Sequence, residues 1–159
     1  MKKTFDRSIT WIVSLSLLFV LAIAPACKKD KNNKDPNAYT LAANASGAQE
    51  FPANAATATG TLTGTYNSST NKLVYNISWS GLTGIPSGLH FHGPALPGVN
   101  AGILISLTIT TAAAAGGASG EAVLTEAQET DMLGGKWYWN VHTAAFPGGE
   151  IRGQVIATQ

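Results

Sequence analysis

Thr61-Leu62-Thr63-Gly64-Thr65-Tyr66-Asn67-Ser68-Ser69-Thr70-Asn71-Lys72-Leu73-Val74-Tyr75-Asn76-Ile77-Ser78-Trp79 alternates with a period of two on either side of a polar centre. Leu62 and Tyr66 share one face and the threonines the other; Leu73, Tyr75, Ile77 and Trp79 then line one face, with Asn76 and Ser78 opposite. Asn67 to Asn71 are all turn formers, so the stretch reads as two antiparallel strands and their turn. The pattern continues at Ile103, Ile105 and Leu107, at Trp137, Trp139 and Val141, and at Ile151, Gly153 and Val155. Each strand is expected to bury one face and wet the other. Strands this frequent, separated by Gly, Pro and Asn, predict a mainly β fold. The expected form is an antiparallel, Greek-key-like β-sandwich of about seven or eight strands. One short helix interrupts it: Thr125 and Gln128 fit a capping box, and Gly134-Gly135 a helix stop. Thr110 to Gly120, rich in Ala and Gly, is expected to be a loop.

Outward from this domain, 39–159, the chain changes character. Residues 1–26 open with Lys2, Lys3 and Arg7, run apolar from Ile9 to Ala24, and end Ala24-Pro25-Ala26 before Cys27, the single cysteine of the chain. The apolar run is short for a membrane span but suits an export signal. With Cys27 it resembles a bacterial lipoprotein signal, in which the cysteine is lipidated and becomes the new N-terminus. The alternative is cleavage after Ala26 with a free thiol; an exported protein with one unpaired cysteine favours lipidation. Residues 27–38 then read as the lipidated Cys27 and a flexible tether, Lys28-Lys29-Asp30-Lys31-Asn32-Asn33-Lys34-Asp35-Pro36-Asn37-Ala38, too polar to offset the entropy of ordering. The expected location is the cell envelope, outside the cytoplasm, with the membrane as a partner through Cys27.

Composition narrows the function. The chain carries 10 basic and 9 acidic residues in 159, and residues 39–159 hold three basic against six acidic. No basic field is offered to nucleic acid. One cysteine excludes an internal disulfide and a Cys-rich zinc site. No G-x-S-x-G elbow is present, and no nucleophilic cysteine falls in 39–159. Glu50 and Glu150 could in number form a glycosidase pair, but nothing in their context argues for it. No residue is assigned a catalytic role.

The chemistry rests on three histidines. In Leu89-His90-Phe91-His92, Leu89 and Phe91 face the core and both imidazoles the outer face. In Trp137-Tyr138-Trp139-Asn140-Val141-His142 the Trp-Trp-Val face is inward, so His142 points outward with Asn140 and Tyr138. His90, His92 and His142 could converge on one copper or zinc ion with an open fourth position. The simpler reading is that they are surface residues bonded to neighbours. Glu150 has two readings as well: an exposed cross-strand ion pair on the face it shares with Arg152 and Gln154, which is favoured, or a carboxylate that orients an imidazole from behind, with Arg152 and Asn140 beside it. The loops Pro94–Asn100 and Phe146–Gly149 are expected mainly to turn the chain. Trp79, Trp137 and Trp139 face inward, which argues against an aromatic glycan platform.

Ser46-Gly47-Ala48-Gln49-Glu50-Phe51-Pro52, Leu89-His90-Phe91-His92-Gly93-Pro94-Ala95, Leu124-Thr125-Glu126-Ala127-Gln128, and Tyr138-Trp139-Asn140-Val141-His142-Thr143 with Phe146-Pro147-Gly148-Gly149-Glu150-Ile151-Arg152-Gly153-Gln154 together resemble the CHRD domain, named after chordin. The resemblance spans about 39–157 in order. It implies an extracytoplasmic, mostly β module without a defined activity, and hence a non-catalytic binding or structural role toward an extracytoplasmic protein or glycan. A narrower similarity, at Leu89–His92 and Gly148–Gly153, is to copper–zinc superoxide dismutase. That enzyme's two metals need more histidines than the three present here, so only a mononuclear site survives the count.

Overall fold

The computed structural model describes residues 34–159; the expected export signal, Cys27 and the first part of the expected tether lie outside them. The element order is β1 (Ala38–Ser46), a 3-10 turn (Gly47–Gln49), β2 (Thr59–Asn67), β3 (Lys72–Ser80), β4 (Pro86–His92), β5 (Ile103–Ser106), β6 (Gly116–Val123), α1 (Glu126–Leu133), β7 (Tyr138–Thr143), β8 (Ile151–Gln154) and β9 (Ile156–Thr158). The strands join in the order β5-β4-β7-β8-β1-β2-β3-β6, and β9 pairs β1 beside β8. Every pairing is antiparallel. The non-consecutive neighbours β4–β7, β8–β1 and β3–β6 are the long-range returns expected of Greek-key-like connectivity. The ninth strand is the three-residue β9, which follows Val155 along the same edge of β1.

The expected hairpin β2–β3 forms, with Thr61 opposite Ser78 and Tyr66 opposite Leu73. Asn67 builds its turn: its side-chain oxygen accepts from the Ser69 and Thr70 amides at 3.0 and 3.2 Å, and Asn71 takes the left-handed conformation at φ 56°. The helix is capped as its sequence indicates, by a reciprocal Thr125–Gln128 box, and stops at Gly134.

The sheet curls so that its two halves face each other. Tyr75 on β3 meets Phe91 on β4 edge to face, with ring centroids 5.5 Å apart. Leu41, Leu62, Ile77, Phe91, Trp139 and Ile151 belong to one continuous buried cluster. Close approach across this core needs a missing side chain at Gly60 on β2, where a Cβ would lie 2.6 Å from the Trp139 ring on β7 and 3.0 Å from Ile151.

Three expectations are corrected. Gly116 to Gly120 is not loop but the first part of β6, paired along β3 from Trp79↔Gly116 to Tyr75↔Gly120. Side chains are absent at Gly116 and Gly120, where β3 fills the space: a Cβ on Gly120 would sit 2.5 Å from the Tyr75 hydroxyl, and one on Gly116 3.0 Å from Trp79. The stretch expected to be a tether up to residue 38 is also held to the domain at its end. Asp35 accepts from the Asn37 amide at 2.9 Å, Asn37 accepts from Ser68 N–H, and Ala38 already starts β1. Ile103, expected inward, is 56% exposed, because β5 is a short edge strand and the β4–β5 register shifts between Phe91 and His92.

Gly60→Ala should destabilise the domain by about 1–3 kcal/mol, the usual cost of overpacking a filled core. A chemical-denaturation midpoint measures it; no shift in midpoint would contradict the tight apposition of β2 and β7.

Candidate metal centre

β7 is buried on both sides. Trp139 and Val141 enter the main core, while Tyr138 and Asn140 on the other face are 3% and 2% exposed. The outer face of β4, β7 and β8 is therefore roofed rather than wet. The roof is the β4–β5 loop: Asn100 donates to the Phe51 carbonyl at 2.7 Å, Gln154 to the Ala95 carbonyl at 2.8 Å, and the Tyr138 hydroxyl bonds both backbone groups of Ala101.

Beneath it the three histidines converge. β4 and β7 place Gly88 opposite His142, His90 opposite Asn140 and His92 opposite Tyr138. One nitrogen from each of His90, His92 and His142 lies within 4.8 Å of the other two. Ring centroids are 5.1 Å apart for His90–His142 and 5.5 Å for His90–His92. The expected outward direction holds, but exposure does not: His92 is buried, and His90 and His142 are half-buried.

The loops expected mainly to turn the chain set the imidazole tautomers. His92 Nδ1 lies 3.0 Å from the Ala101 carbonyl and His142 Nδ1 lies 2.9 Å from the Pro147 carbonyl. A carbonyl can only accept, so each Nδ1 carries the proton and donates. That leaves the Nε2 lone pairs of His92 and His142 free, and both atoms are buried without a partner, as is His90 Nδ1. Three buried, unpartnered imidazole nitrogens are costly unless something fills the space between them. Backbone carbonyls behind the rings are the usual support of metal-bound histidine. Closing on an ion with metal–nitrogen bonds of about 2.0–2.1 Å brings the donors to about 3.5 Å apart, a small rotation of the rings.

Electrostatics favour the neutral form of His90 and His92. Burial, then the charges that His142 and His92 would carry, hold His90 below the ordinary histidine range. His92 is also lowered, chiefly by burial, against the opposing hydrogen bond to Ala101. Neutral imidazole is the form that ligates.

Glu150, Arg152 and Asn140 fall out differently. Glu150 is fully buried but serves elsewhere. Its carboxylate accepts from the Thr83 amide and hydroxyl, both at 2.8 Å, and from the Thr143 hydroxyl at 2.6 Å. It pins the β3–β4 connection to the end of β7. It forms neither an exposed ion pair with Arg152 nor a hydrogen bond to an imidazole, because it precedes β8 after Gly149 at φ 130°, where strand alternation does not apply. Arg152 is buried at 1% exposure with its guanidinium carbon 3.5 Å from the centre of the Tyr138 ring. Asn140 lies between His92 and Glu50, and its polar contact with each opposes the effect of burial on both.

Two residues of this polar layer were not assigned to the site from sequence. Tyr138 stacks on His92, centroids 4.8 Å apart and planes 2° from parallel. Glu50 is 7% exposed, and burial pushes its carboxyl up to about 7 against the lowering influence of Arg152 and Asn140. In the sequence Glu50 stands out only in Ser46–Pro52, one of the stretches that carry the family resemblance, and as a carboxylate that could in number pair with Glu150.

The family model of the CHRD domain matches residues 41–155. The chain belongs to the CHRD family. That match runs from within β1 through β8 and includes all three histidines, so the convergent imidazoles are part of the CHRD domain and not an appendage to it. No curated protein and no solved structure matches the chain significantly.

The sign of the pH dependence follows from Glu50. A carboxyl raised from 4.5 to about 7 binds its proton more tightly in the folded state, so its contribution is lost as pH rises from about 4.5 through about 7. Glu50→Gln should therefore stabilise the metal-free protein at pH 8 by on the order of 2–3 kcal/mol. The gain should vanish near pH 4.5. Denaturation midpoints at the two pH values test this; an equal effect at both would contradict it.

Proposed function

We propose that this chain is an exported, lipid-anchored cell-envelope protein whose CHRD domain holds one copper or zinc ion between His90, His92 and His142. The coarser statement, a CHRD domain acting as a binding or structural module, stands on family membership. The finer one is carried by a single observation: three imidazoles that each bring a nitrogen within 4.8 Å of the other two, each ring also holding a buried nitrogen without a hydrogen-bond partner, and two of the rings oriented by backbone carbonyls.

The donor set selects the class of ligand. Three neutral nitrogens without thiolate suit copper or zinc and suit magnesium or calcium poorly, since those prefer oxygen. A glycan is the weaker occupant, because Trp79, Trp137 and Trp139, the rings a sugar would stack on, are all buried. Anchoring through Cys27 is supported by the sequence of residues 1–27 and by the polar tether that follows.

Two measurements test this reading. Plasma mass spectrometry on untagged protein, before and after loading with copper or zinc, should find about one ion per chain. His92→Ala should abolish it, and absence of metal at every loading would refute the site. Cys27→Ser should move the protein out of the membrane fraction; unchanged membrane association would refute the anchor.

A further inference from the structure

The layer around the imidazoles contains a fixed charge. Arg152 is 1% exposed, and its hydrogen bonds go to neutral groups, Asn100 Oδ1, the Leu96 carbonyl and Gln154 Oε1, each at 3.4 Å. Neither ion pair found among the described residues includes it. One face of its guanidinium lies on Tyr138, and the other face of Tyr138 lies on His92. Guanidinium, phenol and imidazole thus form a stack that ends on a candidate donor. Glu50 is the carboxyl that faces this charge, and with a value of about 7 it offsets the guanidinium only in part at neutral pH. His90 and His142, the other titratable groups here, are ligands and neutral when an ion is bound.

We infer that the buried Arg152 cation, acting across Tyr138 on the three-histidine site, selects a monovalent ion, copper(I), over divalent zinc or copper(II). This rests on the metal reading above and deepens it. Three neutral imidazoles cancel none of the ion's charge, so the guanidinium repels a divalent ion twice as strongly as a monovalent one. The steps of 3.5 and 4.8 Å put the guanidinium carbon no more than about 8 Å from the His92 ring. At an effective dielectric near 20, one unit of charge at about that distance changes relative affinity by on the order of tenfold or more.

Coordination number points the same way. Three nitrogens complete a trigonal shell for copper(I), whereas zinc and copper(II) require at least a fourth ligand. All three free nitrogens are closed to solvent, which handicaps an ion that must keep a water. The site is then a holder of reduced copper, for sequestration or transfer, rather than a zinc centre. Arg152 and Tyr138 are positioning and selectivity residues, not ligands.

The test is a pair of competition titrations on the full-length chain in detergent. Copper(I) is measured under anaerobic ascorbate against a bathocuproine chelator, and zinc against a chromophoric zinc indicator. One copper(I) per chain should bind more tightly than zinc. Arg152→Gln should narrow the ratio of the two affinities by on the order of tenfold, Arg152→Lys should restore it, and Glu50→Gln should widen it. The potential of the bound copper couple should fall in Arg152→Gln, which a purely structural role for Arg152 would not produce. Tighter zinc than copper(I) in the wild type overturns the inference, as does an unchanged ratio in an Arg152→Gln protein that still binds one ion. Binding of neither ion overturns the metal reading itself. If Arg152→Gln does not fold, the wild-type order of affinities and the Glu50→Gln shift decide.

Discussion

β7 must be buried on both faces, and most of the molecule follows from that constraint. Its inner face carries Trp139 and Val141 into the contact between the two halves of the curled sheet, where Gly60 yields the space. Its outer face carries Tyr138, Asn140 and His142, side chains that cannot lie dry without partners. The β4–β5 loop and the segment after β7 supply carbonyls and amides to them, and β8 supplies Arg152. The outcome is two cores back to back, one apolar and one polar, sharing a strand.

The polar core is incompletely satisfied, and that is its informative property. Around Glu150 every demand is met: three donors surround the carboxylate and hold the β3–β4 connection to β7. Around the histidines the opposite holds. The Nδ1 atoms of His92 and His142 are bonded to carbonyls, while their Nε2 atoms and His90 Nδ1 are buried without hydrogen-bond partners. Backbone contacts orient the rings of His92 and His142, and the proposed ion site rests on that orientation.

Much of the fold is legible in the sequence because period-two alternation is a direct record of one-sided burial. Leu73, Tyr75, Ile77 and Trp79 are all in the core, and the Thr125–Gln128 cap forms. Legibility fails where partners are distant in the chain. Gly116 to Gly120 offers only the small side chains of Ala118 and Ser119 to reveal a strand, because Tyr75 and Trp79 supply much of the packing from β3. The grouping of the histidines on one face could be read from alternation, but their burial could not. Alternation predicts a wet outer face, and only the β4–β5 loop, whose closure depends on Asn100, Ala101 and Gln154, removes the water. Glu150 escaped for the same reason, since Thr83 lies 67 positions away. Cys27 and the segment expected to be an export signal lie outside the described residues.

The central claim is that the three imidazoles are the ligands of one ion. X-ray absorption at the metal edge of the copper(I)-loaded protein tests it most directly. The account predicts a first shell of about three nitrogen neighbours near 2.0 Å with the multiple-scattering signature of imidazole. A shell of sulfur, or of oxygen without imidazole scattering, would contradict it.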